Sequence, residues 1–189
     1  MKTAVLLSNV SVSKRISFTA VFAALCFVGT YVIQIPIPAA TGYFNVGDIF
    51  VLLSGWLLGP LYGGVAAAIG SAFADLVAFP SYAPVTFFVK GFDAVAAYFV
   101  WKLFKKIIKK QSLDVFPRIF AAIAGEGVMV LGYFVYEIFA FGASLALSGM
   151  LLTNLPQAAV CLIGGVALIA ALYPIKSVRN FFPVLRQEE

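Results

Sequence analysis

The sequence predicts an all-α membrane protein, a single bundle of six transmembrane helices over residues 1–189 with both termini in the cytoplasm. The chain is 62% hydrophobic and only 11% charged, which is far from the composition of a soluble domain. About 20 apolar residues are needed to cross the hydrocarbon core of a bilayer. Apolar stretches recur at 16–33, 46–58, 61–79, 83–101, 119–140 and 144–173.

The basic residues predict the orientation. Of the 13 Lys and Arg residues, all but Lys90 lie before the first stretch, between the fourth and fifth, or after the sixth: Lys2, Lys14, Arg15, Lys102, Lys105, Lys106, Lys109, Lys110, Arg118, Lys176, Arg179 and Arg186. Because cytoplasmic loops carry the excess of Lys and Arg, these segments are expected inside the cell. The cluster at 102–110 is expected to contact anionic lipid rather than nucleic acid.

Small residues and turn residues mark the first three stretches. Ala20 and Ala24 form a small-xxx-small face, which allows another helix to approach closely. Gly59 and Pro60 separate the second stretch from the third and read as a turn. The second stretch is short for a full crossing, so a tilted helix, a broken helix and a helix partly covered by a loop all remain open.

The connection at 34–45 contains two prolines, which prevent a helix and favour an extended segment. Its residues 34–44 are predicted to form a lid over an outer cavity, and we call them the lid segment. The alternative is a plain apolar linker.

Polar residues inside the apolar stretches sort onto shared helix faces and onto one side of the membrane. Thr86, Lys90 and Asp93 share a face of the fourth stretch. Depth along the helices places a candidate ligand-binding set in the outer half: Tyr43, Asn45, Asp48, Asp75, Tyr82, Thr86, Lys90, Tyr133, Glu137, Asn154 and Gln157. Asp93 is expected near mid-depth, and Glu126 deeper, where it would be structural or serve an inward movement.

The chemistry of this set suits a small, flat, polar ligand. Charged groups at membrane depth are costly and persist mainly where they face a bundle interior or a wet cavity. The competing interpretation is a set of structural ion pairs. Lys90 is therefore expected either to contact a ligand or to pair with Asp93 or Asp75.

Catalysis is not expected. The chain contains no histidine, which removes Ser-His and Cys-His nucleophiles and His-ligated metals. We expect no catalytic residue, no cofactor, no metal site, and no disulfide between Cys26 and Cys161. An intramembrane aspartyl protease would need Asp48 and Asp75 to face each other. A stand-alone proton-coupled carrier would use acids such as Asp93 and Glu126, although such carriers usually show duplicated halves.

The topology and several short motifs resemble the substrate-binding S component of energy-coupling factor (ECF) vitamin transporters. The motifs are Ala20-x-x-x-Ala24, Tyr43-Phe-Asn-x-Gly-Asp48, Gly59-Pro60, Ala68-x-Gly70-Ser71-x-x-Ala74-Asp75 and Thr86-x-x-x-Lys90-Gly91. The sequence looks most like the branch assigned to hydroxymethylpyrimidine or vitamin B6, which is often labelled riboflavin-type. Riboflavin and pantothenate remain alternative substrates.

This resemblance implies partners and a mode of action. S components bind a vitamin on the outer side, under the loop between the first two spans, in the plasma membrane of a prokaryote. They associate with a transmembrane scaffold subunit and two cytoplasmic ATPases, and they topple in the membrane. The resemblance assigns Ala20 and Ala24 to the scaffold interface. No Walker A motif is present in the sequence, in agreement with ATP hydrolysis by the partner subunits.

Overall fold

The structure is a computed structural model that describes residues 11–38, 40, 42–108 and 114–182. The predicted cytoplasmic residues Lys2, Lys109, Lys110 and Arg186 lie outside these ranges, as do two positions of the lid segment. The described elements are almost all helical: α1 Val12–Tyr31, β1 Ile35–Pro36, β2 Tyr43–Phe44, α2 Gly47–Ala78, α3 Ala83–Ile107, α4 Val115–Phe141, α5 Ala143–Gly149, α6 Leu155–Leu172 and α7 Lys176–Phe181. A π-helical turn, Met150–Asn154, joins α5 to α6.

Helix α2 reverses direction at Gly59. This residue has φ +83°, a left-handed conformation that glycine adopts without steric cost, and Pro60 follows it. The Ser54 hydroxyl donates to the Gly63 carbonyl at 3.0 Å, although an unbroken helix would hold these residues about 13 Å apart. The two arms, residues 47–58 and 60–78, therefore pack against each other, and the predicted turn at Gly59–Pro60 is confirmed.

Five described helices are long and apolar enough to cross a membrane, with α5, the π-helical turn and α6 taken as one. The sequence predicts six crossings, and the difference lies in α2. Its first arm, 47–58, spans only about 18 Å at 1.5 Å per residue, less than the ~30 Å hydrocarbon core. The first arm is short, as the sequence indicates, and its helix is continuous from Gly47 to the turn at Gly59.

Close helix contacts hold α1 and α3 against the two arms of α2. A Cβ atom added at Gly70 would overlap the Ala23 carbonyl oxygen of α1, and one added at Gly55 would overlap the Ala94 carbonyl of α3. Backbones can approach this closely only where side chains are small, and such contacts are typical of helix pairs in membranes. The outside of the bundle is apolar, as at Phe139, whose side chain is 86% exposed.

The end of the bundle opposite the lid is organised around Asp114. Its carboxylate accepts from Arg118 Nε at 2.7 Å and pairs with Lys105 Nζ at 2.9 Å. Burial alone would raise the pKa of Asp114, but the two cations outweigh burial and lower the pKa below its ordinary value. The Arg118 guanidinium also lies over the rings of Trp56 and Trp101, at 5.4 and 4.9 Å. These contacts join α2, α3 and α4 at this end.

The stretch predicted as one apolar helix at 144–173 contains the π-helical turn. The Leu155 N–H donates to the carbonyl of Met150, five residues back. Pro156 follows directly, and it lacks an N–H and crowds the carbonyl four residues before it. The wider turn accommodates the proline and leaves Thr153, Asn154 and Gln157 buried within the bundle.

Candidate ligand-binding site

One cavity at the lid end of the bundle collects most of the predicted polar set. Its walls come from α1, the lid segment, α2, α3, α4 and the start of α6. The lining residues are Thr30, Gly42, Tyr43, Asn45, Asp75, Tyr82, Lys90, Tyr133, Glu137, Asn154 and Gln157. The cavity has a volume of about 30 Å³, enough for one or two waters. A larger ligand therefore requires the walls to move apart.

Asp75 receives hydrogen bonds from two hydroxyl groups. Tyr43 of the lid segment donates to one carboxylate oxygen, and Thr86 of α3 donates to the other. Because the single hydroxyl proton of Thr86 is directed at Asp75, the Tyr133 hydroxyl, 2.8 Å from Thr86 Oγ1, is the donor in that contact. Asp75 thus connects the lid, α2, α3 and, through Thr86, α4.

Asp48 and Lys90 form a fully buried ion pair across α2 and α3. This partner differs from the sequence expectation, which offered Asp93 or Asp75. Gln157 Nε2 donates to the second Asp48 oxygen at 2.6 Å, and Gln157 Oε1 accepts from the backbone and side-chain amides of Asn45 at 2.9 Å. The first arm of α2 is thereby fixed to both α3 and α6.

The remaining wall is aromatic and acidic. The Tyr82 hydroxyl donates to Glu137 Oε1 at 3.1 Å. The rings of Tyr82 and Tyr133 lie 6.1 Å apart, and Lys90 Nζ lies 5.3 Å from the centre of the Tyr133 ring. This wall offers flat apolar surfaces beside hydrogen-bond acceptors, an arrangement suited to a planar heterocycle.

The lid segment contains two short antiparallel strands, in which Ile35 faces Phe44 and Pro36 faces Tyr43. The Tyr43 ring stacks on Phe79 with ring centres 4.8 Å apart. Burial, together with the nearby Asp75 carboxylate, holds the pKa of the Tyr43 hydroxyl above its ordinary value. The hydroxyl therefore stays protonated and able to donate to Asp75.

Most of the predicted residues line the cavity, while two lie behind it. Asp48 and Thr86 are fully buried, and each contacts a lining residue: Asp48 contacts Lys90 and Gln157, and Thr86 contacts Asp75. Sequence reasoning did not single out Thr30 and Gly42, which also line the cavity. A hydroxyl in the last turn of an otherwise apolar helix, directly before the lid, is the signal that could have identified Thr30.

Asp93 and Glu126 do not line the cavity, in keeping with the depth argument. Both are buried, and none of their carboxylate oxygens has a hydrogen-bond partner among the described residues. Glu126 nevertheless reaches within 4.8 Å of Asp48 and of the Cys161 sulfur. Glu126 is therefore closer to Asp48 than the depth argument suggested. The rise along one helix does not tell how far neighbouring helices are shifted along their axes relative to each other.

Asp48, Glu126 and Cys161 form the cluster of possible metal ligands among the described residues. Its chemistry does not favour a cation. Asp48 already binds the Lys90 ammonium and the Gln157 amide, and a metal ion beside that ammonium would be repelled. The Cys161 thiol points to the Asn45 carbonyl at 3.6 Å. Both cysteines are free and buried.

Ala20 and Ala24 lie away from the cavity, on the exposed face of α1. The opposite face of α1 carries its buried residues, Phe22, Cys26, Gly29 and Thr30. The predicted small-xxx-small face is therefore not used within the bundle.

Comparison with known proteins defines the family. A model of the S component of ECF-type riboflavin transporters matches residues 10–174. The chain belongs to this family. It is thus an S component, the substrate-binding subunit of a vitamin transporter that works with a transmembrane scaffold and ATPases. Proteins of this family are transporter subunits rather than enzymes. The resemblance seen in the sequence is confirmed at the level of the S component.

Two further comparisons are consistent with this assignment. A protein of Pyrococcus woesei described as "Uncharacterized protein in gap 3'region" is 37% identical over 121 residues, which cover 63% of this S component and 76% of the relative. The solved structure of the S component of a bacterial ECF transporter has a TM-score of 0.63 and 22% identity, and the match covers 87% of this chain and 98% of that one. The structural likeness shows a shared fold.

Proposed function

We propose that this S component captures pyridoxine, pyridoxal or hydroxymethylpyrimidine at the outer face of a prokaryotic plasma membrane for ATP-driven uptake. The observation that carries the proposal is the cavity beneath the lid segment, where polar groups from six parts of the chain converge between tyrosine rings. A single-ring ligand requires less opening of this cavity than a ligand with several fused rings. In this proposal the chain is one domain with six crossings, and both termini are cytoplasmic.

Uptake also requires docking to the scaffold, and we assign this role to the exposed face of α1 around Ala20 and Ala24. Close approach between helices in a membrane needs small side chains, because a large residue keeps the backbones apart. Both alanines lie on the outer surface of the bundle, so they are available to another chain.

Riboflavin is the second candidate substrate, and the family match favours it. Its three fused rings need more space than one pyridine or pyrimidine ring. The cavity would therefore have to open further, by outward movement of the lid segment from Asp75. Pantothenate would bring a carboxylate into a cavity already lined by Asp75 and Glu137. A stand-alone proton-coupled carrier has less support, because Asp93 and Glu126 do not line the cavity.

Calorimetry on the purified full chain in lipid nanodiscs tests the proposal. The panel is pyridoxine, pyridoxal, hydroxymethylpyrimidine, riboflavin and pantothenate. We expect saturable binding of a single-ring compound at one site per chain. Glu137→Gln should weaken this binding, whereas Phe139→Ala, an exposed position two residues away, should not. Absence of binding by all five compounds would contradict the proposed function.

A further inference from the structure

The membrane-embedded part of the chain holds far more acidic than basic residues. Residues 16–101 and 119–175 contain five acids and one base. The acids are Asp48, Asp75, Asp93, Glu126 and Glu137, and the base is Lys90. The count is taken from the sequence, and the other twelve Lys and Arg residues lie outside these two ranges. A buried carboxylate is costly unless it is paired with a cation or takes up a proton, so a cation that reached these carboxylates would be stabilised.

The positive charge of Lys90 is already engaged. Its ammonium is bound to Asp48, and the two side chains are 2% and 0% exposed. Asp75, by contrast, is held by the uncharged hydroxyl donors of Tyr43 and Thr86. Glu137 adds a second carboxylate to the cavity wall, where it accepts from the Tyr82 hydroxyl. The cavity therefore presents two carboxylates to a ligand beside an ammonium that is already paired.

Three further cations among the described residues lie far from this cavity. Thr30, near the end of α1, lines it, whereas Arg15 lies at the start of the same helix, about 22 Å away at 1.5 Å per residue. Lys105 and Arg118 bind Asp114 at the end of the bundle opposite the lid. These residues cannot supply charge to Asp75 or Glu137.

We infer that the site selects a heteroaromatic ligand that bears a cationic amine or a protonated ring nitrogen, and that it discriminates against anionic analogues of the same ring. This inference rests on the proposed function and specifies its substrate class. An N–H donor on a cation forms a stronger hydrogen bond to a carboxylate than the neutral Tyr43 hydroxyl does. The faces of Tyr43, Tyr82 and Tyr133 also attract a cation. A carboxylate on the ligand would add a third negative charge.

Three pyridine compounds of nearly equal size form a matched probe series. Pyridoxamine, pyridoxine and 4-pyridoxic acid carry an aminomethyl, a hydroxymethyl and a carboxylate group at the same ring position. A pyrimidine pair, hydroxymethylpyrimidine and its analogue with oxygen in place of the 4-amino group, tests the same question on the second ring type. Riboflavin and pantothenate complete the panel, and binding is measured by calorimetry on the full chain in nanodiscs.

The expected order of affinity is amine over hydroxyl over carboxylate, with at least about a tenfold difference between the ends of the pyridine series. On the pyrimidine ring the amino compound should exceed its oxygen analogue. A flat or reversed order overturns the inference and leaves vitamin binding intact. Binding of riboflavin or pantothenate alone overturns this inference and the single-ring substrate proposed above, and leaves only vitamin binding intact. Binding of none of the compounds overturns the proposed function and this inference together.

The variant Asp75→Asn removes the negative charge of this side chain while keeping its size and shape. It should lower the affinity for the amine compounds by about tenfold or more and leave the carboxylate compound unchanged or bound more tightly. Asp114→Asn makes the same change at a buried carboxylate near the opposite end of the bundle and should leave all affinities unchanged. Melting temperatures of both variants show whether each is folded. An equal loss of affinity for all three pyridine compounds in folded Asp75→Asn would contradict charge selection.

Discussion

The Tyr43 hydroxyl donates a hydrogen bond to the Asp75 carboxylate, joining the lid segment to the end of α2 across 32 positions of sequence. The same tyrosine stacks on Phe79, just beyond the end of α2. Tyr43 thus lines the cavity and also ties the lid segment to α2. A carboxylate has about four acceptor sites, so Asp75 can bind a ligand while this hydrogen bond keeps the lid closed over it.

Tyr43→Phe should loosen the lid. The substitution keeps the ring on Phe79 but removes the bond to Asp75, and a hydrogen bond to a charged group contributes about 1.5–3 kcal/mol. We expect roughly tenfold or faster ligand release, together with faster hydrogen exchange in the lid segment. In the unmodified chain, exchange there should slow when ligand is added.

Tyr136→Phe is the matched control for this experiment. It removes a tyrosine hydrogen bond of 2.7 Å to the Ser81 carbonyl, and Tyr136 is not among the residues that line the cavity. Its lid exchange and ligand release should match the unmodified chain. If Tyr43→Phe also leaves both rates unchanged, Tyr43 does not hold the lid.

Lys90→Met should destabilise the ligand-free protein. The substitution leaves the Asp48 carboxylate buried without its cation, and breaking a buried ion pair in this way costs about 3–5 kcal/mol. The double variant Asp48→Asn with Lys90→Met removes both charges and should recover much of the lost stability. The free energies of unfolding of Lys90→Met, Asp48→Asn and the double variant, measured in mixed micelles, give the coupling energy of the pair. Unchanged apo stability with lost ligand affinity in Lys90→Met would instead identify Lys90 as a ligand contact.

The sequence is informative about which residues lie inside the bundle. Asp48, Asp75, Lys90 and Glu137 stand out because a charge in an apolar stretch must find a polar environment. Helical spacing and depth then group them. Their pairing does not follow from this reasoning, because Lys90 can reach partners on several helices. The structure pairs it with Asp48 of the first α2 arm, which spacing within one helix cannot reveal.

Local backbone chemistry explains which parts of the fold were predictable. Gly59 and Pro60 predict the reversal of direction in α2, since both residue types disfavour a continuing helix. The π-helical turn at Met150–Asn154 carries no such clear signal. Pro156 reads equally well as a proline in the first turn of a helix, and only the packing of α5 and α6 against their neighbours distinguishes the two. The position of Asn154 in the cavity depends on that turn.

Gly70→Ala should weaken the packing of α1 on α2. The added Cβ would overlap the Ala23 carbonyl oxygen and lie 2.8 Å from Cys26 Cβ, and overpacking of this kind costs about 1–3 kcal/mol. Gly127→Ala is the matched control, because a Cβ there meets no atom within 4 Å. Alanine favours the helix over glycine, so Gly127→Ala should be neutral or slightly stabilising. Equal melting temperatures for the two variants would contradict the proposed tight contact at Gly70.

Ala20→Trp and Ala24→Trp should block transport without weakening ligand binding. Both alanines lie on the exposed face of α1, and α1 contributes to the cavity through Thr30 near its other end, so a tryptophan at either alanine leaves the site unaltered. At a helix interface, however, the larger side chain would keep the scaffold from close contact. Uptake by the assembled transporter measures docking to the scaffold, and calorimetry on the isolated S component measures ligand binding. Ala167→Trp is the matched control, since Ala167 is also an exposed alanine but lies on α6. We expect Ala167→Trp to transport normally. If uptake survives both alanine substitutions, the scaffold contacts another face of the bundle.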